Sequence, residues 1–441
     1  MALLTDLPVE IHHQILSFLP SHRDVAALSI QCRSLHAQCD MIMRKKYRRV
    51  RIDSDDKSLN KAFATLMEVL KRPSLGRETG SRGVYIAQAL TALLISVSPD
   101  LESLATPPPF FNYTGFYSPG QTHDFASVKF PLERMLRQVN SMPNDMPFLQ
   151  NLRHVYVING GDDDDGRFYV STDFIGAMHL FHHLPSIEMM GTDILEEDEN
   201  GSPKLEPGSS NISRVAIHHS SVDIFYLTNI ICSCKTLSEF QYSIGGRTPL
   251  GGGTPIFNPK TLLLAILLHR ETLEVLDVDA DDHVIEFGPD LTDAEWDESL
   301  DVRGGRPDAE HVWTGAPPES LWEQRGSLQD FPALKRLSIG INSLIYFARG
   351  VGLARKENFS LADCLPPNLE CLVIRGYQKG ECEMHDAQIN SLVAQRDSGL
   401  SSLAEIRGIT ECIPLAEDVG DPDDDEAALW EREEEWSSDS E

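Results

Sequence analysis

Side chains able to do chemistry are scattered through the 441 residues, and most stand at spacings that do not support it. Gly246 and Gly251 have the separation found in a phosphate-cradling loop. Such a loop continues into Lys and Ser or Thr, which hold phosphate and magnesium, and Gly252-Gly253 stand there instead, so the stretch reads as a turn. Aspartates 162–165 before Gly166 offer oxygen ligands for calcium, yet Gly161 occupies the place of the first ligand, leaving a solvated acidic loop. Cys232-x-Cys234 has no second cysteine pair at zinc spacing and falls in a helical stretch, as buried structural thiols do. Histidine pairs start at His12, His182 and His218, none with an i,i+4 partner and a Glu between. No Gly-x-Ser-x-Gly elbow and no His-Glu-x-x-His occur, and no cofactor or metal is expected.

One acidic pair remains. Residues 273–281 read LEVLDVDAD, a strand ending in Asp277-x-Asp279. The pair is similar to the haloacid-dehalogenase phosphatase motif, which implies an attacking first Asp and an acid/base second Asp beside magnesium. Asp281 stands where that motif has Thr or Val. A strand followed by an acidic turn accounts for the same residues, and a metal-dependent phosphatase at Asp277 and Asp279 stays a remote alternative.

The elements that must position these groups follow from composition and periodicity. Lys and Arg number 38 against 68 Asp and Glu, a net charge of −30, which argues against a non-specific nucleic-acid binder and an anionic-membrane binder. Eight cysteines are too few for a disulfide scaffold. The N-terminus carries an acid and a proline where a signal peptide has a basic start and an apolar core. The longest apolar run, 262–268, is seven residues, so no membrane span is expected. The reading is a soluble chain of a reducing compartment, cytoplasmic or nuclear, in which the triplets at Asn112, Asn211 and Asn358 meet no glycosylation machinery.

Residues 1–52 carry a net +4 and read as three short helices. Pro8 opens the first helix at no cost in hydrogen bonds, and Ile11, Ile15, Leu16 and Leu19 follow at helical spacing. Asp24 caps the second, with Val25 and Leu28; Leu35, Cys39 and Ile42 lie on the third. So small a module buries little core alone and calls for a partner surface. Its string LPVEIHHQILSFLPSHRDVAALSIQCRSL strongly resembles an F-box, matching at Leu7, Pro8, Glu10, Ile11, Ile15, Leu16, Leu19, Asp24, Val25, Leu28, Cys32, Arg33 and Leu35. Gln31 departs from the usual Val, and Met43 is the nearest large apolar residue to the place of a common Trp. The resemblance implies docking on the Skp adaptor of a cullin–RING ubiquitin ligase, with Leu7, Pro8, Ile11, Ile15, Leu16, Leu19, Val25 and Leu28 as the contact candidates.

Residues 53–145 read as a helical linker, with helices near 59–70, 85–97 and 130–139 and an aromatic Pro/Gly-rich loop at 107–120. From 146 to 415 a pattern Leu-x-x-Φ-x-Φ (Φ apolar) begins at Leu152, Leu184, Ile212, Leu237, Leu273, Leu334 and Leu369, and in part at Leu403. Helical stretches at 173–183, 223–234, 261–270, 342–354 and 384–396 lie between. Strand plus helix at this period resembles a degenerate leucine-rich-repeat α/β solenoid, with Asn342 at the ninth position of one repeat. An acidic insertion spans about 280–327, and 416–441 reads as a disordered acidic tail.

The fold class expected is therefore multidomain α/β: F-box 1–52, helical linker 53–145, leucine-rich-repeat-like domain 146–415 and acidic tail 416–441. The combined resemblance implies a non-catalytic substrate receptor of a Skp–cullin–F-box ligase, its repeat region holding an unidentified protein client, with no nucleic acid and no membrane. An F-box interaction protein acting without ubiquitination is the alternative. A phosphorylated client would need basic residues; Lys335, Arg336, Arg375 and Arg407, in or just after repeat strands, are the candidates.

Overall fold

The protein is described by a computed structural model over residues 49–51, 81–109, 131–159, 169–197, 203–245, 257–281, 318–353, 359–399 and 403–415. Its centre is a ten-stranded sheet, every neighbouring pair parallel. The strands are β1 (Arg49–Arg51), β2 (Ser103–Thr106), β3 (His154–Val157), β5 (Met189–Asp193), β7 (Arg214–His218), β8 (Glu239–Ser243), β9 (Val275–Asp279), β10 (Arg336–Gly340), β11 (Cys371–Arg375) and β12 (Glu405–Arg407). They lie side by side in chain order. The short strands β4 (Val170–Thr172) and β6 (Leu195–Glu197) pair with each other in a separate two-stranded sheet, and β6 adds a bridge from Glu196 to Ser221.

Helices return the chain between strands: α1 (Ser81–Ser96), α2 (Pro131–Ser141), α3 (Phe174–Phe181), α4 (Ile224–Ser233), α5 (Pro259–Ile266), α6 (Ile341–Arg349) and α7 (Glu383–Gly399). Local capping explains where several of them start. The side chains of Asp173, Asp223 and Asn258 accept the N–H of Gly176, Phe225 and Thr261, satisfying donors that a helix start leaves open. α4 fills the expected stretch between its caps Asp223 and Cys234.

One face of the sheet makes the core. Val155, Met190, Val215, Phe240, Leu276, Leu337 and Leu372 form a cross-strand row, each at most 1% exposed. Three residues earlier in each repeat, Leu152, Ile187, Ile212, Leu237, Leu273, Leu334 and Leu369 are also buried. The register corrects one expected repeat. Val155 pairs with Met190, so the unit begins at Ile187 rather than Leu184, and Thr192 takes its last apolar position. Thr192 is tolerated there because its hydroxyl donates to Val157 O and accepts from Asn159 Nδ2. The sheet also extends into the stretch read as helical: Leu104 pairs with Val155, and Leu101-x-x-Leu104-x-Thr106 has the same spacing.

A repeated hydrogen-bond device sets this register. The carbonyl of Glu102 accepts from the N–H groups of both Arg153 and His154. The carbonyls of Arg153, Glu188, Ser213, Ser238, Glu274, Lys335 and Glu370 each accept in the same way from two successive N–H groups of the next strand's start. Intervals between successive units run from 25 to 61 residues, yet every strand starts at the same level.

Helix α6 follows β10 without a loop, and Gly340 at its start has no side chain to cap it. Asp281, just past β9, supplies the cap: its carboxylate accepts from Asn342 N at 2.7 Å, Ser343 N at 3.2 Å and the Ser343 hydroxyl. Asn342 thus lies in the first turn of a helix rather than in a repeat asparagine position. A Cβ on Gly340 would fall 2.1 Å from Asp281 Cγ, so the two positions are sterically coupled. Gly340→Ala is expected to destabilise the protein by about 1–3 kcal/mol, and Asp281→Ala by about 1–2 kcal/mol. The double variant should lose clearly less than the two combined, because removing the carboxylate relieves the clash. Denaturant unfolding of the three variants tests this; strict additivity would contradict the coupling.

Candidate functional site

Alternate strand residues point away from the helices and form the sheet's open face. Its middle row runs Tyr156, Gly191, Ala216, Gln241, Asp277, Ser338, Val373 and Arg407 in register. Over β2 to β7 the middle row is apolar, and Ala105, Tyr156 and Ala216 form a buried cluster there with Met189 of the adjoining row. From β8 onward the row is mostly polar, with Gln241, Asp277, Ser338 and Arg407.

Arg375 is the hub of the polar half. Its guanidinium lies 3.3 Å from Asp277 Oδ1 and 3.4 Å from Asp279 Oδ2, and Nε donates to Ser338 Oγ at 3.1 Å. These contacts cross from β11 over β10 to β9. Asp279 is nearly fully buried, while Arg375 and Asp277 are half-buried. The two aspartates of the phosphatase-like motif therefore share an arginine counter-ion. Their sheet also has no reversal of strand order, the place where open parallel sheets form a ligand crevice.

Toward β5, His218 Nε2 lies 3.0 Å from Gln241 Oε1. The Gln241 amide nitrogen donates to Glu239, so Oε1 is the acceptor and His218 Nε2 carries the proton. Burial pushes the His218 pKa down, against the pull of Asp193 and Asp277. His219 Nδ1 stands 3.4 Å from Asp193 Oδ1, and the His219 N–H donates to Ser243 Oγ. At the opposite ends of these strands Arg214 Nε meets Glu239 Oε2 at 2.6 Å.

The expected client-binding cations do not form one cluster. Lys335 sits on the rim where strands begin, its Nζ 2.7 Å from Glu274 Oε2, and that hydrogen bond raises its pKa. Arg336 is exposed in the row Arg336, Cys371, Glu405. Arg407 Nε lies 2.5 Å from Glu405 Oε1; this contact raises the Arg407 pKa and lowers that of Glu405. Arg375 is held as described above. Asp193, His218, Gln241 and Ser338 were not expected at the site. Their signal was positional, since each falls on an outward strand position once the register is known.

Cys232 and Cys234 are free and buried, and burial pushes both thiols up to about 12, far from a reactive thiolate. Trp322 of the insertion packs on the core. Among the described residues no helix is long and apolar enough to cross a membrane. The eight F-box contact candidates, the helix expected near 59–70, residues 110–120 of the aromatic loop, the acidic loop 162–165, the turn at 246–253, residues 282–317 of the acidic insertion and the tail 416–441 lie outside the described residues.

Where β6 meets the start of α4, both carboxylate oxygens of Glu197 accept from Asp223 N, at 3.0 and 3.1 Å. Burial, reinforced by the Asp223 charge, raises the Glu197 pKa to about 8 against that backbone bond. A raised folded-state pKa contributes stability fully present below the unfolded value of 4.5 and lost as pH rises through about 8. Glu197→Gln should remove this slope, leaving the variant about 1–3 kcal/mol more stable than the native chain near pH 9. Melting curves from acid to alkaline pH check it, and parallel pH profiles would contradict it.

Comparison with known protein families matches residues 4–49 to the F-box-like family. No curated protein matches the chain. An F-box-like domain thus occupies the N-terminus, ahead of a mixed α/β region built on a parallel sheet. F-box proteins generally act in Skp–cullin–F-box ubiquitin ligases, where the F-box binds the Skp adaptor and the protein is typically non-catalytic.

Proposed function

We propose that this chain is the substrate receptor of a Skp–cullin–F-box ubiquitin ligase. The F-box-like match at residues 4–49 carries the reading. Leu7, Pro8, Ile11, Ile15, Leu16, Leu19, Val25 and Leu28 provide apolar surface for the Skp adaptor, some of them also filling the module's own core. The region behind it is a leucine-rich-repeat-like solenoid, a reading supported by strands stacked in chain order and by the repeated buried positions. Its open face, including Arg336, Arg375 and Arg407, holds a protein client, and catalysis resides in other subunits.

Co-purification of the full chain with a Skp adaptor tests the reading. The native chain should form a one-to-one complex, and a Leu7→Ala/Pro8→Ala/Leu16→Ala variant should bind at least about tenfold more weakly. A folded native chain that forms no complex would sink the proposal.

A further inference from the structure

Resting on the receptor reading, we propose that the client is engaged through a lysine- or arginine-bearing segment laid on the open face where β5 to β11 end, and not through a phosphate. A phosphorylated segment needs arginines whose charge is available to it. On this face Arg375 is held by two aspartates and a serine and Arg214 by Glu239, while Arg336 and Arg407, away from the strand ends on the rows nearer the strand starts, both act on Glu405. A phosphate approaching Arg375 would have to displace Asp277 and Asp279 while facing their charges.

The balance for a cation is the reverse. Around the strand ends stand Asp193, Asp277 and Asp279 with Arg375 as the cation among them, and burial keeps His218 from adding positive charge. Gln241 Oε1 and Ser338 Oγ lie in the same rows as uncharged acceptors. Asp277 is still about a third exposed, on the middle row, so an incoming ammonium or guanidinium can reach it from solvent. The chain's net −30 draws such a segment in over a longer range. Charge complementarity thus selects a basic segment for this sheet face.

The test measures fluorescence anisotropy of two labelled short peptides, identical except for lysine or phosphoserine at alternate positions, with the full chain at about 0.15 M salt. The lysine peptide should bind and the phosphoserine peptide should not. Asp277→Asn should weaken lysine-peptide binding about tenfold. Arg375→Gln should tighten it about threefold, the opposite of what damage to the fold would do. Glu206→Gln, an exposed acid on the connection before β7, is the control for general attraction and should leave binding unchanged. Phosphoserine-peptide binding lost in Arg375→Gln would overturn the proposal. So would lysine-peptide binding equal in the native chain and Asp277→Asn, or weakened in both variants. Adaptor co-purification from the same preparation reports on the ligase reading independently.

Discussion

The parallel sheet depends on one carbonyl oxygen per unit. In each case the residue before a strand offers its oxygen to two consecutive N–H groups of the next unit. A single acceptor taking two donors fixes both the height and the direction of the incoming strand. A slip by one residue would break the shared bond and turn the apolar row outward, exchanging Phe240 and Leu276 for Gln241 and Asp277 in the core. Hydrogen bonding and burial therefore select the same register, and the length of chain between strands has no part in the choice. The 61-residue interval before Leu334 is accommodated by the same geometry as the 25-residue one before Leu237.

Placing strands at one level leaves the returning segments to satisfy their own polar groups. α3, α4 and α5 do this locally through Asp173, Asp223 and Asn258. α6 does not, because β10 runs straight into it. Its cap comes from Asp281 on the preceding unit, and the absence of a Gly340 side chain makes room for that carboxylate. The acid that departs from the phosphatase-like pattern thus has a structural task. Asp277 and Asp279 are joined to Arg375 two strands away, so the acidic end of β9 is tied to β10 and β11 by its side chains.

Much of this was legible in the sequence wherever apolar periodicity was intact. The units at Leu152, Ile212, Leu237, Leu273, Leu334, Leu369 and Leu403 lie in the register their spacing indicated, as Val155, Val215, Phe240, Leu276, Leu337, Leu372 and Ile406 share one row. It failed where a hydroxyl replaced an apolar group. Thr192 and Thr106 hide their units because a buried threonine is acceptable only when a hydrogen-bond partner is present, and no pattern of residue types records the partner. At the open face the basic residues were visible as candidates, but their pairing was not. That Arg375 meets Asp277, 98 residues earlier, is a consequence of strand stacking and could not be inferred from spacing along the chain.

Strand order identical to chain order has a bearing on synthesis. A polypeptide emerges N-terminus first, and domains generally fold as units in that direction. Here each new strand needs only the edge left by its predecessor, and the paired N–H groups it must place find their shared carbonyl already fixed. No strand of the ten-stranded sheet waits for a partner still inside the ribosome, so its growing edge at any moment is one strand wide. Among the described residues the last strand is β12, only three residues long and carrying Glu405 and Arg407, charges that discourage another strand from joining. The described sheet is thereby extended in order of translation, and the edge it presents at its C-terminal side is short and charged.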